Sequence, residues 1–132
     1  MSVGIDLERL DTLDRFDHAA VVRAGQRLLG VAERRWCANQ ASLAQAVIVI
    51  FCCREAAFKC HGNSATVLDL ALVPTGDLSF GEATLSAPRN AEIAVAWRVV
   101  DHQVLAIAAS GPSNLPSELL RRVSGSHEAT VF

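Results

Sequence analysis

Between Val3 and Glu8 apolar and polar positions alternate: Val3, Ile5 and Leu7 fall on odd places, Gly4, Asp6 and Glu8 on even ones. A period of two predicts a short edge strand, and it places Asp6 and Glu8 on one face because successive strand side chains point to opposite sides. The spacing then changes. From Phe16 to Leu29 the apolar residues Phe16, Ala19, Ala20, Val22, Leu28 and Leu29 fit an amphipathic helix that Gly30 ends, and a second helical piece runs from Ala32 to about Ala38.

The segment from Ser42 to His61 is harder to read. Its run Val47-Ile48-Val49-Ile50 is β-branched and suits a buried strand as well as a helix. Length decides for a helix, because the stretch continues through Arg54-Glu55-Ala56-Ala57-Phe58-Lys59 and meets a stop only at Gly62-Asn63-Ser64. Apolar residues fill every side of its first half, so the helix is expected to lie in the core. The longest unbroken apolar run, Ala46 to Cys53, is far below the roughly 20 residues that span a bilayer.

After Thr66 the pattern turns to β. Expected strands at Val67–Val73, Leu78–Ser86, Glu92–Val100 and Val104–Ala109 are separated by Pro-Thr-Gly-Asp, Ala-Pro-Arg-Asn and Asp-His, the signature of an antiparallel meander. A short helix around Ser117–Val123 and a mobile polar tail, residues 124–132, complete the expected chain. The expectation is one α+β domain over residues 1–123, with the Ser42–His61 helix packed across a sheet built mainly from residues 67–109.

Composition narrows the class. The 132 residues are 51% hydrophobic and 20% charged with net charge −2, which suits a compact domain and gives no reason to expect a nucleic-acid or membrane surface. The N-terminus has neither the basic nor the apolar region of a secretory signal, so the expected location is cytoplasmic. Cys37, Cys52, Cys53 and Cys60 follow no zinc or redox spacing and are read as buried reduced thiols. The histidines, at 18, 61, 102 and 127, form no cluster along the chain, and His102 is read as a turn residue.

Two features carry chemistry: Asp6-x-Glu8 on the first strand, and Phe51-Cys52-Cys53-Arg54-Glu55-Ala56-Ala57-Phe58-Lys59 on the buried helix. Glu55 and Lys59, four apart, share a helix face, while Arg54 points about a quarter-turn aside. These residues allow two readings. One is an ordinary surface ion pair with solvated acids at a strand end; the other is three hard carboxylate ligands suited to magnesium, flanked by cations suited to phosphate oxygens.

Val3-Gly4-Ile5-Asp6-Leu7-Glu8 resembles the (V/I)-G-(I/V)-D-(I/V)-E motif of the 4′-phosphopantetheinyl transferases, and Phe51 to Lys59 resembles their second motif, F/W-S-x-K-E-A/S-x-x-K. Glu33-Arg34-Arg35 stands for the acidic helix segment between them, and the similarity extends over roughly residues 2 to 110. It is nearest to the C-terminal lobe of the long, two-lobed members, which place coenzyme A between two similar lobes.

The resemblance implies a magnesium-dependent enzyme that moves the phosphopantetheine arm of coenzyme A onto a serine of an acyl or peptidyl carrier protein, releasing 3′,5′-ADP. It implies Asp6, Glu8 and Glu55 as metal ligands, Glu55 and Lys59 as catalytic groups, and Lys59 and Arg54 as contacts to coenzyme A. Arg54 stands where the family usually has lysine. With no counterpart of the first lobe, the expectation is a homo-oligomer or an N-terminal lobe supplied separately. The alternative is a non-catalytic lobe acting as a binding or assembly module.

Overall fold

The computed structural model describes residues 2–11, 18–61, 70–85 and 93–131. Among the described residues nine elements occur, in the order β1 (Val3–Arg9), α1 (His18–Leu28), α2 (Val31–Ala38), α3 (Leu43–His61), β2 (Leu72–Gly76), β3 (Phe80–Leu85), β4 (Ile93–Val100), β5 (Gln103–Ser110) and α4 (Leu115–Val131). The α+β expectation is met: the strands form one antiparallel sheet in the order β1-β5-β4-β3-β2. β1 is an edge strand, as its alternation predicts, and it joins β5 in a register pairing Asp6 with Ala106.

The long apolar segment is a helix, and its β-branched run does not turn it into a strand. α3 lies against β1, β4 and β5 and buries Val47, Val49, Ile50, Cys52, Cys53, Ala56 and Ala57. Propensity is overruled here by packing, since a long buried helix satisfies its own backbone groups while removing apolar surface from water. α1 and α2 pack beside α3, and α2 also touches β2.

Trp36 of α2 and Trp97 of β4 meet edge to face, centroids 5.3 Å apart, and close the core at the far end. Their indole nitrogens donate to Gly76 O at 2.9 Å and Asp77 O at 3.0 Å. The Trp97 ring lies over Gly81, where a Cβ would come within 2.1 Å of it. On the opposite sheet face α4 crosses β4 and β5, its Leu120 buried with Ala96 and Ile107.

The β4–β5 connection is the two-residue hairpin expected at Asp101-His102. Val100 pairs with Gln103, and both turn residues have positive φ, 51° and 63°, as a type I′ turn requires.

Besides shifts of one or two residues, such as β3 starting at Phe80 and not at Leu78, two boundaries differ more from the sequence expectation. β2 begins at Leu72 and continues through Pro74 and Gly76, residues expected to form a turn. Proline is tolerated because β2 is the other edge of the sheet, where a missing N–H leaves no partner unpaired. The turn follows instead at Asp77, whose Oδ1 accepts from Ser79 N and Phe80 N at 2.9 and 3.1 Å. α4 is also longer than expected, continuing as helix to Val131 through most of the segment read as a tail. The expected strand start at 67, the helix start at Phe16 and Gly62-Asn63-Ser64 lie outside the described residues.

Candidate active site

Gly4 sets the distance between β1 and α3. A Cβ there would stand 2.0 Å from Ala56 O and 2.5 Å from Cys60 N, so only glycine lets the helix backbone ride directly on the strand. Period-two alternation then turns Asp6 and Glu8 to the same side as Gly4, towards α3, and leaves Val3, Ile5 and Leu7 on the other face, 41%, 52% and 55% exposed.

α3 answers with Lys59. Its Nζ donates to Asp6 Oδ1 at 2.9 Å and to Ile5 O at 3.0 Å, and the hydrogen bond to Asp6 is the main cause of a raised Lys59 pKa. Asp6 is only 11% exposed, and its second oxygen, Oδ2, is buried without a hydrogen-bond partner. A buried carboxylate oxygen left unpartnered is costly and marks a place where a donor or cation would be favourable.

Glu8 stands next to this pair. Its pKa is raised, first by partial desolvation, then by the neighbouring Asp6 and Glu55 carboxylates, with Lys59 acting in the opposite direction. Glu55, half-buried and one turn before Lys59, also raises the Lys59 pKa. Four of the residues singled out from sequence, Asp6, Glu8, Glu55 and Lys59, therefore fall in one place. They are neighbours, but among the described residues no three histidine, cysteine or acidic side chains already form a group that could hold a metal ion. The donor chemistry suits a hard cation, and the orphaned Oδ2 of Asp6 is the atom that most clearly calls for one.

The expectation that Arg54 faces a phosphate needs correction. Its side chain is 1% exposed and points into the protein, where Nε donates to Glu33 Oε2 at 2.8 Å and Nη2 donates to Glu33 Oε1. Nη2 also lies 3.3 Å from Leu28 O. The quarter-turn that separates Arg54 from Glu55 is enough to send one residue inward and the other towards β1.

Glu33, 0% exposed, was named from sequence only within the segment Glu33-Arg34-Arg35, with no role of its own. It accepts from Gly30 N at 2.8 Å and Leu72 N at 3.1 Å as well as from Arg54, and so links the start of α2, the start of β2 and the middle of α3. A glutamate three residues after Gly30 is half of a capping box, the one local signal that could have drawn attention to it. Removing either partner alone would strand a buried charge, a loss of about 3–5 kcal/mol.

All four cysteines are buried, as expected. Burial pushes the Cys37 thiol up to about 12 and raises the others, which rules against thiolate chemistry at neutral pH.

A strand-borne acid pair facing a Glu/Lys helix on one face of an antiparallel sheet defines an α+β domain with a carboxylate-rich site. Comparison with known families makes that specific: the family model of the 4′-phosphopantetheinyl transferase superfamily matches residues 2–110. The chain belongs to this superfamily. Among solved structures it is similar to the Helicobacter pylori holo-[acyl-carrier-protein] synthase in complex with coenzyme A, at 14% identity and TM-score 0.57, covering 83% of this chain and 99% of that one. It is also similar to the Thermotoga maritima holo-[acyl-carrier-protein] synthase, at 18% identity and TM-score 0.57, covering 81% of this chain and 61% of that one. At such identities the likeness establishes the fold. A comparison with curated proteins gave no match.

Proposed function

We propose that the chain transfers the 4′-phosphopantetheine group of coenzyme A to a serine of an acyl or peptidyl carrier protein, releasing 3′,5′-ADP. The observation that carries this reading is the buried, unpartnered Oδ2 of Asp6 among Glu8, Glu55 and Lys59, in a chain of this superfamily. Asp6, Glu8 and Glu55 would hold magnesium, which when bound supplies charge stabilisation at the pyrophosphate of coenzyme A.

The protein's own part is mainly positioning and electrostatics. Gly4 keeps β1 and α3 in contact, so the carboxylates stay on one side of the substrate phosphates. Lys59, half exposed and held protonated by Asp6, can swing from the strand to a phosphate oxygen and offset charge on the departing 3′,5′-ADP. Glu55 and Glu8 are the carboxylates able to accept the serine proton.

A second body is part of the proposal. Val3, Ile5 and Leu7 form an exposed apolar row on β1, more than a lone edge strand usually presents. We assign it to contact with another copy of the chain, or with a preceding lobe as in the two-lobed members, in the cytoplasm. The same row supports the alternative of an incomplete lobe that acts only with a partner. Incubation of the chain with an apo-carrier protein, coenzyme A and magnesium should add the mass of phosphopantetheine to the carrier. No mass gain at any concentration of the chain would sink the catalytic reading, and gain only on adding a partner would favour the alternative.

A further inference from the structure

We infer that the buried Glu33–Arg54 pair is a positioning device that selects the rotation of α3 about its axis, and with it the presentation of Glu55 and Lys59 to β1; this rests on the proposed transferase site. Contact of Gly4 with Ala56 and Cys60 limits how α3 can turn against β1, but hydrophobic burial of the rest of the helix does not complete the selection. The inner side of α3 carries Val47, Val49, Ile50 and Ala57, but the half-buried side carries Ile48, Phe51 and Phe58 beside Glu55 and Lys59. A helix apolar on both sides gains similar burial in more than one rotation, because the hydrophobic effect has no direction.

A charged pair does have direction. Both Glu33 oxygens accept from Arg54, and the same carboxylate is fixed from outside α3 by Gly30 N at 2.8 Å and Leu72 N at 3.1 Å. Turning α3 away would leave a carboxylate and a guanidinium buried without each other, the most expensive arrangement open to them. Arg54 precedes Glu55 directly, so fixing one fixes the other's azimuth. As replacing a buried ion pair by apolar residues is often neutral or stabilising, its use here is to specify an arrangement.

The test is Glu33→Leu combined with Arg54→Met, with Arg54→Lys as a milder variant that keeps both buried charges but loses the two-pronged guanidinium fork. Iodoacetamide labelling of the folded protein, read by mass spectrometry at each cysteine, reports rotation independently of catalysis. Cys52, Cys53 and Cys60 lie on α3 and Cys37 on α2 is the reference; because Glu33 itself raises the Cys37 and Cys53 pKa values, the ratio is read at Cys52 and Cys60, and loss of Glu33 biases it against the expected result.

The expected result for the double variant is a melting temperature within a few degrees of the parent, α3 labelling at least about tenfold faster relative to Cys37, and a drop in kcat of similar size. Arg54→Lys, which strands no charge, should shift the same ratio in the same direction by less, and covers the case in which the double variant does not fold. An unchanged α3-to-Cys37 ratio in whichever variants fold, or an equal rise at all four thiols, overturns the proposal. If the parent chain proves to have no transferase activity, the function fails but the labelling ratio still decides the positioning role.

Discussion

Lys59 Nζ sits 2.9 Å from Asp6 Oδ1 across 53 positions of sequence, while the other oxygen of Asp6 is buried with no hydrogen-bond partner. The lysine therefore neutralises half of a site whose other half still faces inward. On the proposed reading Asp6, Glu8 and Glu55 would hold a cation that supplies the charge now supplied to Asp6 by Lys59.

Lys59→Ala should accordingly slow transfer at least about tenfold while leaving magnesium binding intact or slightly tighter. Titration calorimetry with magnesium and a carrier-protein mass assay separate the two effects. Lys59 is 49% exposed but Asp6 only 11%, and removing Lys59 takes the partner of Asp6 Oδ1, so the change should cost about 1–3 kcal/mol in stability. Loss of magnesium binding in this variant would contradict the roles assigned.

Glu55→Gln keeps size and helix propensity but removes a charge beside Glu8 and Lys59. Transfer should be abolished, with the circular dichroism spectrum and melting curve close to the parent. The same substitution removes one cause of the raised Glu8 pKa, so carboxyl titration followed by NMR should show the Glu8 value fall.

Gly4→Ala places a methyl 2.0 Å from Ala56 O. The strand and helix must separate, and overpacking of this kind costs about 3 kcal/mol or more. Urea unfolding should register that loss, and any folded remainder should have weakened magnesium binding because Asp6 moves with the strand.

The four thiols should resist alkylation at pH 8 in the folded protein and react promptly in denaturant. Cys37, Cys52, Cys53 and Cys60 are at most 5% exposed, and burial raises every one of their pKa values, that of Cys37 to about 12. Fast labelling of Cys52 or Cys53 in the folded parent would mean that α3 is not seated as described.

Local periodicity determined a good deal on its own. Alternation from Val3 to Glu8 specified a strand with both acids on one side, and the four-residue step from Glu55 to Lys59 specified a shared helix face, because both are set by the geometry of a single element. The Asp101-His102 hairpin was legible for the same reason. What lies between elements was decided only by the tertiary structure. Arg54 carries the same charge in either setting, and nothing local says whether it reaches phosphate or Glu33, 21 positions away. The edge position of β2, which admits Pro74, depends on strand order, a property of the whole sheet. The convergence of Asp6 with Lys59 likewise depends on α3 coming down onto Gly4, a contact made by packing, which sequence spacing does not encode.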